Sequence, residues 1–291
     1  MFNKLPLVRT TSGMLCDLLV GDDIVSGVDL AQAHAHILID LIRETGTWRD
    51  GVAANSDLFH ARARRTSRLG EWLTLDDHEL SEALFHAEWT VNGRRCKKSP
   101  QKLLMSLEEW AGSPAGSSFV VRSQGDATEM NIAVPLSYVD FKYSGDNFLL
   151  GEIANFSWAI LAQGAYFVPK YNPAAVWGRD GIAKEAEQWR PSMRCSPNGF
   201  DLLLPVSEVR REVVSAFLAS IWPKVRELYA SLGRSAAMEM APYLLSRILL
   251  TFSPRLMSGS DRMAILALAM LADDMGPAAF FEWLGITEVI E

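Results

Sequence analysis

The pattern of apolar residues changes near residue 200, and this change limits the folds that the chain can adopt. Before Phe200 the apolar residues follow both strand and helix periods, whereas after it the strand period disappears and Ser, Gly and Pro separate apolar segments. An antiparallel sheet covered by helices accounts for the first pattern, and packed helices account for the second. The sequence therefore predicts an α+β fold, with an α+β domain over residues 1–200 and a helical cap or small helical domain over residues 201–291.

Residues that cap or end helices mark helix boundaries in the first part. Apolar side chains recur at helical spacing after Asp29. Ser99 followed by Pro100 is a typical helix start. Thr74 and Asp77 have the spacing of a capping box, with aspartate in place of the usual glutamate. The predicted helices run from Asp29 to Gly46, from Thr74 to Ala87, from Ser99 to Gly112 and from Asp146 to Gln163, where Gly164 ends the last one.

Short strands are predicted between these helices. Residues 14–20 are a strand candidate. The Asn92-Gly93 dipeptide favours a type I′ turn, so a short ribbon should surround it. Residues 119–121 and the alternating apolar residues within 130–134 predict a second antiparallel hairpin with one buried face.

The last third is rich in helix breakers. Pro223 removes an amide donor and is expected to break or restart the helix that begins at Ser207. Further breakers divide the remainder, giving about five short helices. The most apolar segments, 243–252 and 263–272, are far shorter than the roughly 20 residues that span a membrane. We expect them to be buried against the α+β domain or a partner, with no membrane contact.

Charge and cysteine content limit the partners and the compartment. The 35 acidic and 28 basic side chains give a net charge of −7, which disfavours nucleic-acid backbones and anionic lipids as partners. Cys16, Cys96 and Cys195 have no spacing typical of a disulfide framework or a zinc site. Residues 1–6 lack the basic start and apolar stretch of a secretion signal. We therefore expect a cytoplasmic protein without a nucleic-acid partner.

One helical stripe carries potential metal ligands. His78, Glu82 and His86 are four residues apart, so on a helix they share one face, where imidazole and carboxylate groups could hold a divalent metal. The stripe lies opposite Leu80 and Leu84, and a solvated polar face explains it without a metal. We favour that interpretation and keep a metal-dependent or other hydrolase around these residues as an alternative. The sequence lacks the GxSxG, GxxxxGK, GxGxxG and HExxH patterns, and we assign no catalytic residue, metal or cofactor.

Two basic clusters interrupt the acidic composition. Together they could form a positive strip that docks an acidic partner. Aromatic residues do not alternate with the second cluster as a stacking platform requires, so solvated turns are the favoured interpretation of both. The first cluster is Arg62, Arg64, Arg65 and Arg68, and the second is Arg94, Arg95, Lys97, Lys98 and Lys102.

A tryptophan in a turn-rich segment is the strongest candidate for partner contact. Trp177 lies within residues 172–181, among Asn, Pro and Gly residues that favour turns, and it is followed closely by Arg179 and Asp180. Aromatic and arginine side chains at exposed turns are typical interface anchors. The sequence therefore predicts Trp177, Arg179 and Asp180 as partner-binding residues.

The order of several segments carries a family resemblance. Trp48 follows the first helix, and the later segments are Ser106-Leu-Glu-Glu-Trp110, Ser118-Phe-Val-Val-Arg122, Asn131-Ile-Ala-Val-Pro135 and Tyr171-Asn-Pro-Ala-Ala-Val176. Over roughly residues 14–178 this succession resembles the α+β immunity proteins of bacterial polymorphic-toxin and type VI secretion systems. The chain departs from that family after about residue 180.

The resemblance implies a function by binding. Immunity proteins are stoichiometric inhibitors that bind a toxin in the producing cell and need no catalytic residue. The resemblance therefore implies a non-enzymatic cytosolic protein with a cognate toxin as its protein partner. A structural or adaptor subunit of a larger assembly, with residues 201–291 as a docking module, is a further alternative.

Overall fold

The computed structural model describes residues 13–75, 80–113 and 117–286. The fold is α+β, as the sequence predicts: most of the described chain is helical, and short strands form three small sheets. The α-helices are α1 (Leu15–Val20), α2 (Ile24–Thr45), α3 (Arg68–Leu73), α4 (Glu82–His86), α5 (Pro100–Gly112), α6 (Leu149–Trp158), α7 (Val168–Tyr171), α8 (Asp180–Glu185), α9 (Glu208–Ala230), α10 (Ala236–Leu250) and α11 (Gly259–Trp283).

The strands pair mostly with antiparallel neighbours. Within the described residues the one parallel pair joins the strands at Val91 and Phe200. The sheets have the strand orders β1-β6-β7, β4-β3-β10-β9 and β2-β5-β8. The strands are β1 (Gly13–Met14), β2 (Thr47–Arg49), β3 (Thr90–Val91), β4 (Arg94–Arg95), β5 (Ser118–Ser123), β6 (Ile132–Val134), β7 (Ser137–Tyr138), β8 (Gly145–Phe148), β9 (Ser192–Ser196) and β10 (Gly199–Leu203).

Local capping signals predicted two helices correctly. The helix expected after Asp29 is α2, which begins earlier because the Asp23 carboxylate accepts a hydrogen bond from the Ser26 amide at 3.1 Å. It ends at Gly46, where a Cβ atom would lie 2.3 Å from the Ile42 carbonyl oxygen. The Ser99 hydroxyl caps α5 by accepting from the Lys102 amide at 3.3 Å.

The helix predicted to begin at Thr74 is wrong. Thr74 instead ends α3, and its hydroxyl donates to the Gly70 carbonyl oxygen at 2.9 Å in the last turn of that helix. Ser81 caps the next helix, α4, by accepting from the Leu84 amide at 3.3 Å. Asp77, the second residue of the predicted capping box, lies outside the described residues.

The strand predicted over residues 14–20 is also wrong beyond its first residue. The Asp17 carboxylate accepts a hydrogen bond from the Met14 amide at 2.7 Å, which starts α1 at Leu15. The ribbon around Asn92-Gly93 is confirmed: both residues have positive φ, 51° and 74°, as a type I′ turn requires.

The second predicted hairpin does not form. Val120 of β5 pairs with β2 and β8, whereas Ala133 of β6 pairs with β1 and β7. The intervening loop closes on itself, because the Asn131 side-chain amide donates to the Asp126 carbonyl oxygen at 2.8 Å. The loop therefore sends the two strands into different sheets.

Gly164 does not end its helix, contrary to the prediction. The segment predicted as helical from Asp146 begins as strand β8 and becomes helical at Leu149. After α6 the chain continues as a π-helix over Ala159–Phe167 and then as α7. A Cβ atom on Gly164 would lie 1.9 Å from the Glu129 carboxylate, so the glycine is required by close approach.

The last third contains α9, α10 and α11. Helices α9 and α10 are longer than predicted, whereas α11 is interrupted by a kink at Gly276, whose φ of 74° and ψ of 163° are not helical, so this predicted breaker is confirmed. Pro223 lies inside α9, where buried Trp222 and Val225 hold the helix against the core on both sides of it. This packing outweighs the roughly 3 kcal/mol that an interior proline costs. Strand β10 also extends past Phe200, so strands do not stop there as predicted.

The C-terminal helices are packed into the rest of the protein, as their apolar content predicts. Helix α9 lies against α2, and α10 lies against α6 and α11. One continuous apolar core includes residues from both sides of residue 200. Among the described residues, Gly259–Trp283 is long and apolar enough to cross a membrane, and 67% of its most apolar window is buried by neighbouring elements.

Candidate functional site

Three arginines converge in a pocket of about 400 Å³ between the π-helix and the C-terminal end of α10. Arg62 comes from the segment before α3, Arg68 from the first turn of α3, and Arg247 from the last turn of α10. We call this site the arginine pocket. Its other polar lining residues include Asp126, Thr128, Asn131, Asp140, Gln163, Asn172 and Thr251.

Arg247 is the most deeply placed of the three. Its side chain is 4% exposed, and its Nη2 donates to the Gln163 side-chain oxygen at 3.3 Å. The same atom lies 3.9 Å from the Asp126 carboxylate. Its Nε and Nη1 have no hydrogen-bond partner within the described parts of the chain. Burial, reinforced by Arg62 and Arg68, lowers the pKa of Arg247 to about 10, so the group remains charged at neutral pH.

Arg68 donates hydrogen bonds to carbonyl groups at the C-terminal end of α10. Its Nη1 donates to the carbonyl oxygens of Leu250, at 2.6 Å, and of Thr251. The Trp72 indole donates to the Leu249 carbonyl oxygen at 2.9 Å. These donors occupy carbonyls that a helix end leaves unpaired, and the positive charge suits the negative end of the helix. Burial lowers the pKa of Arg68 to about 10.

The remaining charges leave the pocket positive. Burial lowers the pKa of Arg62, which is hydrogen-bonded to Tyr143. Asp126 is half-buried and accepts from the Asn155 side-chain amide at 3.1 Å, while Asp140 is exposed at the mouth. Glu129 also lines the pocket, but Arg210 neutralises its carboxylate. Apart from the paired Glu129, the pocket therefore contains three guanidinium groups and two carboxylates. One of these carboxylates, that of Asp140, is exposed to solvent.

The π-helix forms one wall of the pocket. Its residues Ala159, Gln163 and Gly164 line the cavity. The Gln163 side-chain amide donates to the Arg247 carbonyl oxygen at 2.9 Å and to the Thr251 hydroxyl at 2.7 Å, which ties this wall to α10. π-Helical segments are rare and occur frequently at functional sites.

The side chains that line the arginine pocket are suited to binding a negatively charged group. Guanidinium groups stay protonated and offer several N–H donors in a planar fork, which suits carboxylate and phosphate oxygens. Such donors bind and orient an anionic group. They do not exchange protons near neutral pH.

The predicted partner-binding residues lie on a fixed loop after α7. The Trp177 side chain is 90% exposed, while the preceding Val176 is buried. Arg179 is ion-paired with Asp17 of α1. Asp180 is the first residue of α8, and its side chain lies outside the described part of the structure. The structure thus places Trp177 and Arg179 on one anchored loop.

This loop also borders the arginine pocket. Asn172 and Ala175, which belong to the same segment, line the cavity. Leu256, in the segment between α10 and α11, also lines the cavity, and its side chain is exposed. Trp177 therefore belongs to a loop at the rim of the pocket.

The potential metal stripe is only partly described. Glu82 and His86 are exposed on α4, as a solvated polar face requires, and His78 lies outside the described residues. Across residues 13–75, 80–113 and 117–286, no group of three or more His, Cys, Asp or Glu side chains is placed to hold a metal ion.

The sequence does not predict the arginine pocket. Arg64 and Arg65 are exposed, as solvated turns require, but Arg62 and Arg68 line the pocket. A signal was present at Arg247, because a cation inside the apolar segment 243–252 needs a buried function. Only the tertiary structure shows that the three arginines meet.

Comparison with known proteins yields no relative. No protein-family model matches the chain, and no curated protein or solved structure matches it.

Proposed function

We propose that this chain is a non-enzymatic binding protein that neutralises a cognate bacterial toxin in the cytoplasm of the producing cell. The observation that carries the proposal is the position of Trp177, 90% exposed on an anchored loop. The resemblance of residues 14–178 to α+β immunity proteins supports the same role. An immunity protein acts by covering its toxin, and it therefore needs exposed anchors more than it needs a catalytic group.

The energetics favour Trp177 as an anchor. A tryptophan side chain buries 150–250 Å² on contact, which gives roughly 4–6 kcal/mol before the cost of association is subtracted. Because Val176 is buried and Arg179 is paired with Asp17, the loop is already ordered in the free protein. Less conformational entropy is then lost on binding, which leaves more of that energy for affinity.

The surrounding surface is compatible with a protein partner. Exposed Leu256 lies at the mouth of the pocket that the Trp177 loop borders, so apolar contact area extends beyond one side chain. The net charge of −7 accelerates encounter with a basic partner through long-range attraction. We therefore expect a toxin with a basic surface.

The experiment measures the affinity of the full chain for the toxin-like product of a neighbouring gene. Trp177→Ala should weaken binding by roughly 30-fold or more, the effect of losing a hot-spot residue. The matched control is Val52→Ala, which removes another exposed apolar side chain and should leave affinity unchanged. Equal affinity of Trp177→Ala and the parent chain, or no complex with any neighbouring product, would contradict the proposal.

A further inference from the structure

The arginine pocket contains a buried charge whose hydrogen-bonding capacity is only partly used. The Arg247 side chain is 4% exposed, and its Nε and Nη1 have no partner among the described residues. A buried cation with unpaired hydrogen-bond donors destabilises the folded state, and apolar packing around it does not offset that loss. Arg247 lines the cavity beside Arg62 and Arg68, so an anion held there would offset a charge that the described residues compensate only in part.

The other two arginines strengthen this argument because like charges repel. Arg62 and Arg68 lie close enough to Arg247 to lower its pKa, and the half-buried Asp126 is 3.9 Å away, beyond ordinary hydrogen-bond distance. Glu129 offers no compensation, since Arg210 holds both of its carboxylate oxygens. An anion with two charges would relieve the repulsion.

We propose that the arginine pocket binds a dianionic phosphate group, with Arg247 and Arg62 as its charged ligands. Phosphate oxygens match the N–H donors of guanidinium groups in both charge and geometry. This binding is a separate property from toxin neutralisation and requires no protein partner.

The shape of the cavity points to a phosphate carried on a small organic molecule. Its volume of about 400 Å³ lies within the range of small-molecule sites. Leu58, Phe252 and Leu256 supply an apolar part of the lining, suited to the remainder of such a ligand. Free phosphate presents the same chemistry, so the test includes both sources.

Arg68 has a positioning role in this site. Its Nη1 donates to two carbonyl oxygens at the end of α10, so it fixes the helix end from which Arg247 projects. It also adds positive charge to the pocket. The ligand contacts are therefore assigned to Arg247 and Arg62.

The test measures thermal unfolding of the full chain with inorganic phosphate, glycerol phosphate or acetate, at about pH 8 and constant ionic strength set with sodium chloride. Phosphate and glycerol phosphate should each raise the Tm in a saturable way, and acetate should not. Tighter binding of glycerol phosphate assigns an organic ester as the source, whereas equal binding assigns the free ion, and either result supports the phosphate site.

Arg247→Met should raise, by at least tenfold, the phosphate concentration that gives half of the maximal increase in Tm. The control is Arg43→Met, which removes an exposed arginine of α2 and should respond like the parent chain. If Arg247→Met does not fold, the ³¹P line broadening that the parent chain produces should be lost with Arg62→Met. Equal responses of the parent and arginine-pocket variants, no response to either phosphate, or a matching response to acetate would overturn the proposal.

Discussion

The carboxylate of Glu129 and the guanidinium of Arg210 form a bidentate ion pair, with N–O distances of 2.6 and 3.1 Å, in the interior of the protein. Arg210 Nη1 also donates to the Ile160 carbonyl oxygen at 2.6 Å. The pair joins the loop before β6 to α9 and to the first turn of the π-helix. It therefore connects Glu129, which lines the arginine pocket, to the π-helix that forms another part of the pocket wall.

Removing one member of this pair should strongly destabilise the fold. Glu129→Gln leaves the buried Arg210 charge without its counter-ion, and we expect the free energy of unfolding to fall by about 3–5 kcal/mol in urea denaturation. Asp40→Asn breaks the exposed pair with Arg43, and it should cost about 0–1 kcal/mol. Equal losses in the two variants would contradict the structural role of the buried pair.

A methyl group at position 164 should disturb the same region. In Gly164→Ala the new Cβ would lie 1.9 Å from the Glu129 carboxylate, which Arg210 prevents from moving away. We expect a loss of about 1–3 kcal/mol in the free energy of unfolding. Gly112→Ala is the matched control, because among the described residues no atom outside its chain neighbours and its own helix backbone lies within 4 Å of the added methyl group. A Gly164→Ala protein as stable as the control would contradict the close approach of residue 164 to the Glu129 carboxylate.

Acid should destabilise the protein through His34. Burial lowers the pKa of His34 from 6.5 to about 3, while its Nδ1 lies 2.7 Å from the Tyr138 hydroxyl. The unfolded chain binds the proton first, so His34 contributes stability above pH 6.5 that is lost as the pH falls towards 3. The loss should approach about 1.4 kcal/mol per pH unit.

The measurement is the difference in unfolding free energy between the parent chain and His34→Leu from pH 7 to pH 4. This difference should shift in favour of the variant as the pH falls. His36→Gln provides the control, since His36 is exposed on the same helix. A constant difference between the parent and His34→Leu would mean that His34 is not buried as a neutral side chain.

Glu152 should give the opposite pH dependence. Burial raises its pKa from 4.5 to about 8, although the Ser123 hydroxyl donates to its carboxylate at 2.8 Å. The folded protein holds this proton more tightly than the unfolded chain, so the stability contributed by Glu152 falls as the pH rises from 4.5 to 8. Glu152→Gln should remove this decline, and it should be more stable than the parent above pH 8 in urea denaturation. An unchanged slope in the variant would exclude a buried, protonated Glu152.

The sequence was most informative where structure depends on neighbouring residues. Ser99 caps α5, Asn92-Gly93 forms its turn, and Gly46 ends α2, because each signal acts within a few residues. Strand pairing was less predictable. The partners of Val120 and Ala133 lie far away in sequence, and alternation alone does not identify them.

Gly164 and Pro223 show why strong local signals can fail. A glycine ends many helices, but Gly164 is required for contact with Glu129, which the sequence does not reveal. A proline breaks isolated helices, but the buried residues around Pro223 hold α9 together. The arginine pocket also depends on tertiary contacts that the sequence does not reveal. Packing of α3 against α10 brings Arg62, Arg68 and Arg247 together.

We propose that this protein acts by binding a toxin and not by chemical turnover. The most direct measurement is a titration of the cognate toxin's activity with the purified full chain. Toxin activity should fall in proportion to the added chain and reach its minimum where the two are equimolar, and the complex should release active toxin on dissociation. Complete inactivation by a substoichiometric amount of the chain would contradict inhibition by binding alone.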